Sequence, residues 1–314
     1  MKIPSTQYRL LAAIFVFSIV IFSCKKETSD TLSAQDEEQA NVAATQSDTE
    51  AESVFDGIFN DALGVNGDVA MGGTGIFGRV SAANYGTLNI SGRVDNVNQL
   101  PPCLNVTIEH TSTTNLIFPV KVTLDFGSTG CIANDGHWRK GKIVIVYTNR
   151  LLYPGAVAEA GFEDFYIDSI RIDNSTSFRI ANTGTTSQLQ LTVDVNGKLS
   201  KPNGNYSEWH SHKQITRTAG NATTTPIDDI FKIEGKASGK VKRNDLGVAW
   251  NAVITDPLIK QFSCRYISKG VVSITRETLA ANSKWTGTLD YGQGNCDKFA
   301  ILKVNGREIQ ITLR

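Results

Sequence analysis

The sequence predicts an all-β protein: two related antiparallel β units, forming a sandwich or an extended curved sheet, preceded by one short α-helix. Three observations carry this reading. Runs of β-branched and aromatic residues of strand length fill most of the chain beyond about residue 85. Glycine-containing turn signals separate them. A block containing cysteine and glycine recurs at an offset of 165 residues, as expected of a duplicated unit.

The elements follow in chain order. Lys2 and Arg9 precede a largely apolar run from Leu10 to Phe22, and Ile21-Phe22-Ser23-Cys24 closes it. A basic end, a short apolar core and a small residue before the cut are the parts of a secretory signal. The run falls short of the roughly 18–20 apolar residues that a membrane span needs. Its end resembles the lipobox of bacterial lipoproteins, which implies cleavage between Ser23 and Cys24 and acylation (diacylglyceryl, palmitate) of the Cys24 thiol. Residues 1–23 are therefore assigned to a lipoprotein signal peptide, and the expected partner is a membrane, held through the N-terminal lipid.

Residues 24–52 are rich in Ser, Thr, Gln, Ala, Asp and Glu and poor in large apolar side chains. Such a segment buries too little surface to offset its ordering entropy, so it is expected to be an acidic disordered tether. Between Glu50 and Leu63 the apolar residues Val54, Phe55, Ile58, Phe59, Ala62 and Leu63 fall at helical spacing. A helix is placed at 53–66, packed on the first sheet. The formal net charge of zero hides an asymmetry, since ten of the 31 acidic residues lie between Glu27 and Asp61. The rest, from residue 62, holds 21 acidic and 27 basic side chains, spread along the strands. That distribution gives no nucleic-acid footprint.

Thr123-Leu124-Asp125-Phe126-Gly127 recurs as Thr288-Leu289-Asp290-Tyr291-Gly292. Four residues after each glycine stands a cysteine, Cys131 and Cys296; ten further on, Gly141-Lys142 and Gly306-Arg307 open a strand. Upstream, Cys103 and Cys264 begin similar strands. In an exported chain an even set of cysteines favours disulfides, and no C-x-x-C spacing suggests zinc or redox chemistry. The repeat selects Cys103–Cys131 and Cys264–Cys296. Residues 67–200 are assigned to the first β unit and 201–314 to the second.

Within these units Glu308–Leu313 alternates, placing Ile309, Ile311 and Leu313 on one buried face. Lys142–Tyr147 is almost continuously apolar, as in a strand covered on both faces. Phe162–Ile172, Leu189–Val195, Ile230–Val241 and Val271–Thr275 also read as strands. Turns are expected at Asn134-Asp135-Gly136, Tyr153-Pro154-Gly155, Asn196-Gly197, Pro202-Asn203-Gly204 and Asn305-Gly306.

With the lipobox, the acidic stalk and the repeated D-[FY]-G-x3-C loops, the chain resembles a group of uncharacterised Bacteroidota lipoproteins, which share such a helix, paired β units and cysteine loops. The resemblance supplies no activity. Lys25-Lys26-Glu27 is similar to the charged tag of surface-exported members, implying an outer-membrane lipid anchor on the cell-surface or the periplasmic face. Asp30-Thr31-Leu32 and Asp168-Ser169-Ile170 resemble an O-glycosylation motif of that phylum, with the stalk site favoured.

Candidate chemistry is sparse. His210 and His212, two apart on a strand, share a face and are the first metal candidates. Asp125 and Asp290, in oxygen-rich glycine loops, are the calcium candidates, but neither matches an EF-hand and a pinned turn is the better reading. No nucleophile elbow, zinc-protease motif or phosphate loop occurs. Glu163-Asp164 and Asp228-Asp229 are adjacent, so on a strand each pair points to opposite faces. Trp138, Trp209, Trp250 and Trp285 could stack sugars, though core packing is expected for three of the four. No catalytic residue, metal or cofactor is assigned. The expected function is a non-enzymatic, lipid-anchored binding or interaction module, with a glycan or an envelope protein as partner. The alternatives are a glycan hydrolase whose site is assembled from distant strands and a periplasm-facing carrier of an apolar ligand.

Overall fold

The computed structural model describes residues 34–70, 87–91, 103–111, 118–133, 136–220, 228–244, 246–276, 287–304 and 306–313. The signal, Cys24, Thr31 and Trp285 lie outside them. One helix, α1, spans Ala34–Ala70 and is followed by sixteen strands among the described residues. The first group is β1 (Thr87–Ser91), β2 (Asn105–His110), β3 (Val120–Asp125), β4 (Cys131–Ile132) and β5 (Trp138–Tyr147). The middle group is β6 (Val157–Ile167), β7 (Ile170–Ile172), β8 (Ser177–Asn182), β9 (Gln190–Ser200), β10 (Tyr206–Ala219), β11 (Ile230–Arg243) and β12 (Leu246–Gln261). Then come β13 (Ile267–Arg276), β14 (Gly287–Gln293), β15 (Phe299–Val304) and β16 (Arg307–Thr312).

All pair antiparallel in a single sheet of order β1-β2-β3-β5-β6-β7-β9-β10-β11-β12-β13-β14-β15-β16, with β4 on β5 and β8 joining β6 to β9. Consecutive strands pair as neighbours in this meander, because segments near in sequence close the cheapest loops, as at the Lys201–Asn205 turn between β9 and β10. The boundary expected at residue 200/201 falls in the Lys201–Asn205 hairpin turn, and β9 and β10 pair along Tyr206↔Ser200 to Thr216↔Gln190. The described protein is therefore one curved sheet rather than a sandwich.

The sheet curves around α1. Tyr147 of β5, Phe178 of β8, Trp209 of β10, Trp250 of β12 and Arg307 of β16 all reach the helix or the side chains packed on it. The Tyr147 hydroxyl donates to the Ala62 carbonyl at 2.7 Å. Ala40, Ala43, Ala44, Ala51, Val54, Phe55, Ile58, Phe59, Ala62 and Leu63 are all buried in the common core.

This corrects the boundaries expected from sequence: residues 34–52, assigned to a disordered tether, are helical, and the helix is not confined to 53–66. The misreading has a physical cause. Large apolar residues are scarce there, but Ala, Gln and Glu are strong helix formers. Alanines at 40, 43, 44 and 51 make a small-residue stripe that lets the helix lie close against the strands. Glu38 also stands near the start of the helix, where a carboxylate complements the helix dipole.

Two further readings change. Lys142–Tyr147 buries Ile143, Ile145 and Tyr147, but Val146 is 42% exposed, so only one face is covered. Val146 suits a strand through its branched side chain rather than through burial. Asn196-Gly197 is not a turn but lies inside β9, where a Cβ on Gly197 would stand 2.5 Å from the Phe55 ring. That glycine seats a helix side chain.

Both disulfides form as the repeat selects, Cys103–Cys131 and Cys264–Cys296. The repeated loops share their turn: Gly127 donates to Asp125 Oδ1 at 2.8 Å, and Gly292 to Asp290 Oδ1 at 2.9 Å. Both glycines have positive φ. The copies diverge beyond the cysteines. Gly306 opens β16, which pairs with β15, whereas Gly141 is a bulge within β5, which pairs with β3.

Candidate functional site

The most densely charged part of the interior is the contact between α1 and the strands. Asp48, Glu52 and Asp56 recur every four residues, so they share one helix face. The Asp48 carboxylate accepts from the indole N–H of Trp209 at 2.9 Å and of Trp250 at 3.1 Å. Glu52 pairs with Lys213 of β10, and Asp56 with Lys260 of β12 at 2.5 Å. Lys260 also donates to the Arg265 carbonyl at 2.7 Å. Ser47 and Ser207 hydroxyls meet at 2.5 Å, and Lys201 pairs with Glu50 at 2.8 Å.

Apolar packing frames these pairs. Phe55 stacks on Trp209 with ring centroids 5.4 Å apart, and a Cβ on Gly239 would stand 2.5 Å from the Trp250 ring. Glycines opposite the large rings give them room. Burial raises the Asp48 carboxyl above its ordinary range, against the lowering effect of the two indole donors and Lys213. It raises Glu52 too, against Lys213. Tyr291, facing the same carboxylates, is raised well above a normal phenol, mainly by burial. These ionisable groups are bound to one another. Their chemistry is attachment of helix to sheet.

Sequence reading missed this row, because acids in a Ser/Thr/Gln-rich stretch read as solvated. The available signal was on the strands: Lys213 and Lys260 occupy inward positions, beside Ser211 and Ile215 and beside Leu258. A lysine at an inward position requires an anion.

The sequence candidates lie elsewhere and apart. Asp125 is engaged by the Gly127 N–H and by Lys142 at 3.3 Å, Asp290 by the Gly292 N–H and by Lys303 at 3.5 Å. Both serve as turn acceptors. His210 and His212 stand on the outer face of β10, where His212 Nδ1 meets Asp194 Oδ1 at 2.6 Å. Among the described residues no group of three or more His, Cys, Asp or Glu is placed to hold a metal ion. Trp209 and Trp250 are core residues, whereas Trp138 is half-buried.

Asp228 and Asp229 do face opposite ways, Asp228 exposed and Asp229 buried. Burial raises Asp229 to about 6, against the lowering charge of Arg217. Glu163 and Asp164 are both exposed, because the Gly141 bulge opposite them breaks the alternation. Asp168 accepts from the Trp138 N–H at 3.1 Å and contacts His137 Nδ1 at 2.9 Å, while Arg265 contacts the other ring nitrogen. This triad joins the turns beside the two disulfides. Neighbouring Ser169 is exposed.

A large hollow lies where β10, β11 and β12 meet, lined by residues of the outer face and also by the buried Val241 and Val248. It encloses about 940 Å³ of space, open to solvent, over Tyr206, Lys240, Lys242, Gly247 and Ala249. Register aligns Tyr206 with Lys242 and Lys242 with Gly247, and places Lys240 between Glu208 and Ala249. Lys198 Nζ lies 4.5 Å from the Tyr206 ring centroid. Beside α1 the hollows are smaller, about 260 and 320 Å³.

Among the described residues no helix is long and apolar enough to cross a membrane. Comparison with protein-family profiles, with curated proteins and with solved structures finds no match to this chain.

Proposed function

We propose that the chain is a lipid-anchored envelope protein of the outer membrane, displayed on the cell surface or facing the periplasm, whose β body binds a ligand and does not catalyse. The anchor rests on Ile21-Phe22-Ser23-Cys24 and on the likeness to Bacteroidota lipoproteins. The observation that carries the binding reading is the division of the sheet. Its concave face is occupied by α1, with Glu52 and Asp56 tied to Lys213 and Lys260, while outward-facing Tyr206, Lys240 and Lys242 line a large hollow open to solvent. A hydrolase needs two carboxyl groups facing a substrate cleft, whereas these are joined to lysines under a helix. A carrier of an apolar ligand needs room between strands and helix, where aromatic rings pack instead.

Two experiments test the reading. Replacing Cys24 with Ala should release the protein from membranes and abolish a diacylglyceryl adduct in mass spectra; unchanged partitioning with no adduct on the native protein overturns the anchor. A broad hydrolase screen on the mature chain should show no turnover. Activity lost on substituting one Asp or Glu overturns the binding reading in favour of an enzyme.

A further inference from the structure

We infer that the outward-facing lining of this hollow, Tyr206, Lys240 and Lys242, is a binding site for an acidic polysaccharide, one bearing carboxylate groups along its length. The inference deepens the binding-module reading above and rests on it.

Charge is the first argument. Lys240 and Lys242 are exposed, alternate along β11 and project from the same face, about 6.8 Å apart along the strand. Neither has a carboxylate partner among the described residues. Glu208, opposite Lys240, is held by Lys198 at 4.0 Å. Among the described residues around the hollow, three lysines therefore face a single glutamate. Several strand lysines elsewhere are matched, Lys121 with Glu109, Lys142 with Asp125, Lys232 with Glu234 and Lys303 with Asp290, whereas exposed Lys236 of β11 and Lys269 of β13 have no carboxylate partner among the described residues. Along β11 the unmatched Lys236, Lys240 and Lys242 share one face of the strand.

Shape and surface give the second argument. Tyr206 is half-buried, with Lys198 over its ring and the ring also lining the hollow. An aromatic ring with a polar edge suits the apolar face of a sugar. Gly247 has open space where a Cβ would be, and Ala249 is short, so the floor beside the lysines stays low. The hollow is broad and open, which admits a chain passing across the strands rather than a small molecule enclosed within them. Repeated anions meeting spaced ammonium groups over a low floor with one stacking ring fit an acidic glycan. A nucleic acid, which shares the charge, would draw on several stacking rings in succession, and the hollow offers one.

Affinity electrophoresis of the detergent-solubilised mature chain in gels containing polygalacturonate tests this, with neutral dextran as the comparison. Retardation by polygalacturonate but not dextran, weakening as salt rises, is expected. Lys240→Gln with Lys242→Gln should weaken binding at least tenfold and Tyr206→Ala several-fold, at unchanged melting temperature. Lys232→Gln, whose lysine pairs with Glu234, should leave binding intact. Oligothymidylate and glycerol phosphate, added as competitors, should displace the polysaccharide poorly. Retardation that survives the double lysine substitution overturns this site while leaving the binding-module reading standing. Absence of retardation in the native chain, or equal competition by oligothymidylate or glycerol phosphate, overturns the acidic-glycan assignment without touching the membrane anchor or the hydrolase result.

Discussion

Asp48 shows how one side chain can fix two distant strands. Its carboxylate accepts from indoles 161 and 202 residues away in sequence. Asp48→Ala should cost about 2–5 kcal/mol, because two buried donors lose their acceptor. Asp48→Asn keeps an oxygen in place and should cost much less; equal losses for both in urea denaturation would show that the indoles find other partners. Asp229 supplies a pH test. Its native pKa of about 6 exceeds that of an ordinary carboxyl, so the native state binds the proton more tightly than the unfolded chain. That preference contributes stability below the unfolded pKa, and the contribution is lost as pH rises towards about 6. The stability of the native protein relative to Asp229→Asn should therefore grow as pH falls from about 6 to about 4, the interval between the two pKa values. A difference that stays flat across thermal melts in that range would refute the assignment. Neither residue was legible in the sequence as a core position. Their partners lie on other strands, and nothing local marks an aspartate as buried.

At the scale of elements, alternation and turn chemistry revealed the strands and some of the hairpins. Ile311 and Leu313 are buried on the expected face, and Pro202-Asn203-Gly204 does turn the chain. The helical spacing shows in Val54, Phe55, Ile58, Phe59, Ala62 and Leu63, and the alanine-lined first half carries no comparable large apolar signal. Asn196-Gly197 misled because a glycine required by a turn and one required by a ring above it are the same letter. Gly197→Ala should destabilise by about 1–3 kcal/mol through the clash with Phe55. In the Phe55→Ala background the same change should cost much less, and additive losses in a double-mutant cycle would count against the contact. The buried ion pairs are tested in the same way. Lys213→Met leaves Glu52 buried without its cation, at a cost of about 3–5 kcal/mol. Adding Glu52→Leu should recover most of that stability, as measured by chemical denaturation.

For the whole molecule, the sequence repeat selected both disulfides but not the way its two copies are used. They lie towards opposite ends of the sheet, and the long strands β10 to β12 between them hold most of the helix contact. Curling of the sheet then brings His137, near the first disulfide, to Arg265, beside the second. Such closure depends on contacts between residues 128 apart, which no periodicity records. Each disulfide should contribute about 3–4 kcal/mol by constraining the unfolded chain. Cys264→Ser with Cys296→Ser should accordingly lower the melting temperature by several degrees; an unchanged melt would mean that the edge strands contribute little to global stability. Truncation to residues 53–314 should be more damaging, since it removes Asp48 and the alanine stripe while leaving Trp209 and Trp250 inside. Exposure of apolar surface to a fluorescent dye is the expected readout.

The early start of α1 also sets a length. A flexible link from Cys24 to residue 52 could extend to roughly 100 Å, at up to about 3.6 Å per residue. With the helix beginning at Ala34, the distance from Cys24 to the helix can be at most about 36 Å. A body anchored by lipid at Cys24 would then rest close to the bilayer, within the layer of headgroups and sugars nearest to it. Its ligands would be those that reach that layer, and the pull of any bound polymer would pass directly into the helix that the sheet encloses.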